Sequence, residues 1–469
     1  MAQNLNLTLK RHRPHENIHR KQDTKKCKRV EDESVAMFYE EQTIYMDFLH
    51  SNKRPFYNKG LGEDLSHMDA YLMHSLNHIF RTRDLIKKNE SKISKLSEEE
   101  VLSDGGFLDQ CFTRPKVLIL LPYKSIAFRV VKRLIQLTPA EAQRVNVDNL
   151  DRFNKEFGCD DGDVKTFKYG KSEKPSDWQA LIGEGNDDDI FMIGIKHTKK
   201  SIRLYSDFYL SDMIIASPVG IVIKAIGKAE ENKELDVDYL SSIEVLIIDH
   251  ADVKSMQNWK HVETVVKQLN RLPSKPHSLS KFRLMFRYLD GLARFYRQSI
   301  FLSSYLTAEM NTLFNHHCLN YKGKMKLESE YKGVLRKVLG NVIQNYERFD
   351  ADSMVQAERA RFEYFTKKVF PRIRDSVQGG VMIFISSKSE LFMLRNLLNS
   401  QNASLCTLHA DASNKEKSRA RQEFFEGKKK IMLYTERAYF FWRYQLKSIV
   451  GDVSAKKMIS SENSTFYFR

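Results

Sequence analysis

The chain has 469 residues, 42% of them hydrophobic, enough for two or three domains with real cores. Its formal net charge is +16, and nine basic residues against two acidic ones fall in the first thirty, so the implied partner is an acidic polymer, nucleic acid foremost. Five scattered cysteines (Cys27, Cys111, Cys159, Cys318, Cys406) contain no C-x-x-C pair, which points to a reducing compartment without a disulfide framework or zinc site, and no apolar stretch approaches the roughly 20 residues that cross a bilayer.

Residues 1–35 are polar and basic and are expected to be a disordered tail. Lys10-Arg11-His12-Arg13 and Lys25-Lys26-Cys27-Lys28-Arg29 suit a bipartite nuclear localisation signal, although a basic tail also reads as a solvated arm. No apolar segment follows this start, so no signal peptide is expected. Residues 36–112 are expected to form a helical N-terminal region, from the helical spacing of Met68, Tyr71, Leu72, Leu76 and Ile79.

From Thr113 the pattern changes to short continuous apolar runs. Lys116–Leu121, Met213–Ala216, Val245–Ile248 and Ser299–Ser303 read as strands buried on both faces, alternating with helical patterns. That alternation predicts parallel βαβ units, whose ligands bind beyond the carboxyl ends of the strands. Polar groups follow each run there: Pro122-Tyr123-Lys124-Ser125, Ser217, Asp249-His250-Ala251-Asp252 and Ser303-Ser304. This first lobe is expected over 113–325, a linker with a helical segment over 326–375, and a partial second lobe over 376–450. The second lobe repeats the pattern in Val381–Ile385, Ser404–Leu408 and Lys430–Tyr434. Residues 451–469 form an atypical tail with no convincing core pattern. The fold class is therefore α/β, two parallel-sheet lobes of which the second is incomplete. A complete lobe continues past Ile449, so a C-terminal truncation is expected.

The motif order resembles the RecA-like core of a DEAD-box RNA helicase. Leu121-Pro122-Tyr123-Lys124-Ser125 and Ile215-Ala216-Ser217-Pro218 stand where such enzymes grip RNA, Ile248-Asp249-His250-Ala251-Asp252 stands for the acidic box, and Thr435-Glu436 opens a further RNA-contacting motif. From about Phe56 to Ile449 the chain more closely resembles the digestive-organ-expansion-factor family. That resemblance is carried by Phe112–Leu120, Asp188–Lys196, Tyr288–Gln298, Arg348-Phe349-Asp350 and Tyr434–Ala438. It implies a nucleolar protein of the small-subunit processome, whose partners are precursor ribosomal RNA or a small nucleolar ribonucleoprotein and other processome proteins, with no membrane.

Phosphoryl transfer needs a Gly-rich loop with a Lys, a Mg²⁺-binding Asp, a carboxylate or its equivalent on the attacking water, and an Arg finger. No G-x-x-x-x-G-K-[ST] occurs; upstream of Thr113 the close glycines are Gly60-Leu61-Gly62 and Gly105-Gly106, without the Lys. His250 stands where the box carries Glu, and no His-Arg-x-Gly-Arg string supplies a finger. The expectation is a non-catalytic scaffold without cofactor or metal; Asp249 and Asp252 also read as helix caps. A degenerate ATP-dependent helicase and a purely protein-binding module are the alternatives. His316 and His317 read as ordinary residues, without ligand partners nearby in sequence.

Candidate RNA contacts are Lys124, Ser217, Thr435 and an arginine face. On a continuous helix over 281–297, Arg283, Arg287, Arg294 and Arg297 fall opposite an aromatic stripe, suited to a phosphate backbone or equally to ion pairs in solvent. The aromatic run Tyr439-Phe440-Phe441-Trp442-Arg443-Tyr444 reads as a base-stacking platform or as core.

Overall fold

The computed structural model describes residues 45–51, 61–96, 107–139, 146–158, 186–198, 201–226, 236–275, 283–327, 347–350, 356–374, 379–444, 446, 451–454 and 465–468. The basic tail over 1–35 and the localisation signal expected in it lie outside them. The chain divides into two compact units, the first of residues 1–170 and 179–330, the second of residues 171–178 and 331–469.

Among the described residues the first unit is built on nine strands: β1 Asp47–His50, β2 Val117–Leu120, β3 Asn146–Asp148, β4 Met192–His197, β5 Ser201–Leu204, β6 Met213–Ala216, β7 Val245–Ile248, β8 Gln298–Leu302 and β9 Lys324–Leu327. Their order is β3-β5-β4-β6-β2-β7-β8-β1-β9. From β6 to β9 every pairing is parallel; β4 runs antiparallel to both its neighbours. Parallel strands need helices on both faces, and the apolar runs reflect it, since β2, β6 and β7 are buried at every position. Leu118, Leu120, Leu246, Ile248 and Phe301 pack with the helices Pro218–Ile226, Trp259–Gln268 and Ala308–His317. Helix Lys124–Leu137 buries Ile126, Val130, Val131 and Leu134. Arg133 ties it to the 33-residue helix Leu61–Ile93 through both oxygens of Asp69 at 2.6 Å.

One expectation needs correction. The region 36–112 is not purely helical: its residues 47–50 form β1, inserted between β8 and β9. Its four residues are too few to show a period, and Asp47 and His50 interrupt the apolar character that marks its neighbours.

The second unit holds the parallel sheet β12-β13-β11-β14, with β11 Val381–Ile385, β12 Leu405–Leu408, β13 Ile431–Thr435 and β14 Gly451–Ser454. Strands β10 Glu347–Asp350 and β15 Thr465–Phe468 pair antiparallel. Residues 451–454 thus add a strand beside β11, and the tail from 451 on is not without structure as its composition implied. Helix Asn414–Phe425 begins in a capping box between Ser413 and Glu416. Among the described residues, Cys111, Cys318 and Cys406 are free thiols.

Candidate nucleic-acid interface

Because β6, β2, β7, β8 and β1 run parallel side by side, their carboxyl ends share one rim. Backbone bonds extend the ladder past them: Leu121 N–H donates to Ala216 O at 3.0 Å, Asp249 N–H to Leu120 O at 3.3 Å, and Ser303 N–H to His50 O at 2.9 Å. The polar residues expected at strand ends are thereby brought to one rim.

Most of them are occupied with local structure. Ser217 is buried, and its hydroxyl accepts from Gly220 N–H at 3.0 Å, capping helix Pro218–Ile226. In the second unit, apart from this rim, Thr435 caps helix Glu436–Trp442 in the same way, accepting from Ala438 N–H at 3.3 Å. Ser303 Oγ donates to Tyr305 O at 2.6 Å within its loop. Lys124 Nζ pairs with Asp188 at 2.7 Å and lies 5.7 Å from the Phe157 ring centroid. Partial burial alone would raise the Asp188 pKa, but the Lys124 ammonium and the Ile190 N–H bond its charged form and hold it below the ordinary value.

The acidic box sits where β7 ends. Asp249 is buried, its carboxylate accepts from His250 N–H at 2.7 Å, and the buried Lys254 ammonium donates to its carbonyl oxygen. Neither Asp249 nor Asp252 is the N-cap of helix Ala251–Gln257; His250 is, with φ of 52°, and Asp252 lies in the first turn. A left-handed backbone at a non-glycine residue is uncommon and marks a sharply turned chain. The imidazole stands 3.9 Å from the Asp249 carboxylate.

The arginine face is not assembled. Residues 281–297 do not make one helix: the short helix Phe286–Leu289 ends at a turn where Gly291 takes φ of +67°, and a single 3₁₀ turn, Ala293–Phe295, follows. Arg283 is bidentate to Asp109 at 2.9 and 2.7 Å, and Arg287 reaches Glu244 at 3.2 Å. Arg297 is 3% exposed and donates to Asn270 Oδ1 and His317 O, each at 2.9 Å. Burial pushes its pKa below the usual guanidinium value. Arg294 alone is exposed, its guanidinium 4.8 Å from the Phe295 ring. The aromatic run of the second unit is also partly taken up: Trp442 and Tyr444 pack beside Tyr434 and Phe424, with Lys417 3.9 Å from the Trp442 ring and Arg421 4.1 Å from the Tyr444 ring.

Sequence reasoning missed the opposite rim. At the amino ends of β2, β7 and β8 lies a connected set of buried polar groups centred on Glu244. Its carboxylate accepts from the Tyr288 hydroxyl at 2.7 Å, meets His78 Nε2 at 2.8 Å, and lies 3.7 Å from Lys116 Nζ. Burial would raise the Glu244 pKa; Lys116, His78 and Arg287 hold it well below the ordinary value. Lys116 also contacts the Cys111 thiol. Nearby, His74 Nε2 meets Gln298 Oε1 at 2.7 Å, and burial lowers its pKa to about 4. No motif announces this network; a lone carboxylate just before an apolar run was the available signal.

β1 has a second consequence. Helix Leu61–Ile93 is the next described element after it, and in doubly wound folds a strand followed by a helix is where phosphate meets a helix N-terminus. The connecting sequence Ser51-Asn52-Lys53-Arg54-Pro55-Phe56-Tyr57-Asn58-Lys59-Gly60 carries no G-x-x-x-x-G-K-[ST]. Residues 52–60 lie outside the described ones.

Residues 45–325 match the family described as UTP25, NTP hydrolase-like domain, and residues 334–450 match Utp25, C-terminal domain. Protein NUCLEOLAR FACTOR 1 of Arabidopsis thaliana is 60% identical over 95% of this chain and 67% of its own length. U3 small nucleolar RNA-associated protein 25 of Pyricularia oryzae is 40% identical over 80% of this chain and 51% of its own, and that of Schizosaccharomyces pombe 37% identical over 80% and 55%. The chain thus spans little more than half the length of these fungal relatives. Among solved structures, the yeast DEAD-box splicing factor Prp28 aligns over 89% of this chain and 66% of its own at 15% identity, with a TM-score of 0.29. On the two domain matches and the plant relative, the chain belongs to the UTP25 family.

Proposed function

We propose that the chain is a non-catalytic, helicase-shaped scaffold that works in the nucleolus on small-subunit ribosome assembly. It binds precursor ribosomal RNA or the U3 small nucleolar ribonucleoprotein together with other processome proteins. The observation that carries this reading is the family match over most of the chain, to relatives named for the nucleolus and for U3 small nucleolar RNA. The resemblance to the digestive-organ-expansion-factor family points the same way.

Loss of catalysis is supported by two features. The sequence between β1 and its helix carries no G-x-x-x-x-G-K-[ST] motif, and the box residue beside Asp249 is a histidine held in a left-handed turn. Neither Lys53 nor Lys59 of that connection stands in the sequence position from which the Lys of a G-x-x-x-x-G-K-[ST] loop neutralises the terminal phosphates, and the transition state depends on that neutralisation. RNA contact falls to the carboxyl-end rim of the first unit, where Lys124 stands just past the end of β2 and Ser217 acts through the helix start that it caps; in the second unit Thr435 acts through the helix start that it caps.

The test is an RNA-stimulated ATPase assay on the full-length protein beside RNA crosslinking in cells. The expected result is crosslinks above background with no turnover. ATP hydrolysis abolished by Asp249→Ala, in protein whose melting is otherwise native, overturns the non-catalytic reading; absence of crosslinks overturns RNA binding.

A further inference from the structure

The rim opposite Ser217 and Asp249, at the amino ends of β8 and β9, has a different surface. Of the seventeen large hydrophobic side chains exposed among the described residues, five lie here: Phe286, Leu289, Leu292, Tyr296 and Tyr321. Phe286 is 64% and Tyr321 62% exposed, more than any other side chain in that group. Phe286 and Leu289 stand three apart on one helical turn and so lie on the same side of it. The Tyr296 and Tyr321 rings meet at 4.9 Å, and Tyr321 N–H donates to Phe295 O at 2.8 Å.

This surface is held from beneath. Tyr288 and Arg287 are bonded to the buried Glu244, and Leu292 N–H donates to Arg287 O at 2.8 Å. Exposed apolar side chains on a well-anchored turn gain nothing for the fold of this unit, and such patches mark interaction sites. Its free charge is positive: Arg294 and Lys322 are exposed beside it, and Arg287 lies 5.1 Å from the Tyr296 ring; of the exposed carboxylates nearby among the described residues, Glu90 faces Arg283, which leaves Asp290 to oppose them.

We propose that this face docks an acidic protein segment carrying at least two large apolar side chains. Leu289 and Leu292 decide between classes of partner. Nucleotide bases gain most by stacking on aromatic rings and phosphates by pairing with cations, and Leu289 and Leu292 offer neither, whereas peptide Leu or Phe side chains bury against them as in a protein-interface core. Tyr, Phe and Arg around an apolar centre are what protein-binding hot spots use. The inference deepens the scaffold reading by giving the chemistry of one protein partner, at a rim separate from the proposed RNA contacts.

Short random peptides displayed on phage are selected against the full-length protein, with a uridine oligonucleotide as a parallel probe. Enriched peptides are expected to be acidic with spaced Leu, Phe or Trp. Their affinity should fall about tenfold or more in Phe286→Ala/Leu289→Ala, and Arg294→Glu/Lys322→Glu should select basic peptides instead. All four side chains are exposed, so unchanged thermal melting verifies the fold of both variants. No enrichment, or peptides that bind the variants as well as the parent, overturns the inference. Oligonucleotide binding lost in Phe286→Ala/Leu289→Ala also overturns it and makes this an RNA face. Missing RNA crosslinks in cells sink the scaffold's RNA contact alone and leave the peptide result standing.

Discussion

The carboxylate of Glu244 and the imidazole of His78 meet at 2.8 Å across 166 residues of chain. Through this pair the long helix Leu61–Ile93 is fastened to the amino end of β7, and Tyr288, Arg287 and Lys116 converge on the same carboxylate.

Glu244→Gln should therefore be costly. It leaves the Lys116 ammonium buried without its counter-charge, a loss of about 3–5 kcal/mol for a broken buried pair. Urea unfolding followed by circular dichroism measures it; a change within about 0.5 kcal/mol would refute the central role. The pH dependence has a definite sign. The folded pKa of Glu244 is depressed, so its contribution is present above the unfolded value of about 4.3 and is lost as pH falls through the lower native value.

The buried histidines add a second window. Burial lowers His74 and His197 each to about 4. Between about pH 6.5 and 4 the unfolded chain binds these protons and the folded chain does not, so stability falls as pH falls. The loss is on the order of 3 kcal/mol per imidazole at the lower end. Neither ring nitrogen of His197 has a hydrogen-bond partner, so His197→Leu should flatten the slope of denaturation midpoint against pH. An unchanged slope counts against its titration.

Arg297 and Lys124 should separate stability from binding. Arg297→Ala strands Asn270 Oδ1 and His317 O inside the unit and should cost about 1–3 kcal/mol without altering RNA affinity. Lys124→Gln should scarcely move the melting temperature but weaken RNA binding and reduce the logarithmic salt slope by about 1. Filter binding across a salt series reads the second effect, and parallel salt slopes for parent and Lys124→Gln would remove Lys124 from the interface.

Gly220→Ala tests the packing of β4 against the helix that Ser217 caps. A Cβ there would lie 2.9 Å from Ser217 Oγ and closer still to the Phe191 carbonyl. Overpacking of this kind costs about 1–3 kcal/mol, seen as a lower melting temperature, and a melting curve like the parent's would contradict the geometry.

Much of the fold was legible because buried parallel strands announce themselves: Val117–Leu120, Met213–Ala216, Val245–Ile248 and Val381–Ile385 are apolar at every position. Their polar successors marked the carboxyl-end rim. β1 was not legible, since half of Asp47-Phe48-Leu49-His50 is polar and its neighbours come from far along the chain. Asp47 is buried because Ser299 and Asn320 N–H groups bond it, a fact invisible to local pattern. The arginine face failed for a related reason. Helical spacing placed Arg283, Arg287 and Arg297 on a solvent side, but Gly291 broke the helix and distant partners, Asp109, Glu244 and Asn270, claimed them.

The insertion of β1 between β8 and β9 also governs the order in which this unit can be completed. Phe48 pairs with Ile300 and with Met325, so β1 leaves the ribosome roughly 250 residues ahead of either neighbour. Until then the partly made sheet offers an open flank beside a short, half-apolar strand, the interval in which a chaperone or an assembly partner has most to gain by holding the nascent chain.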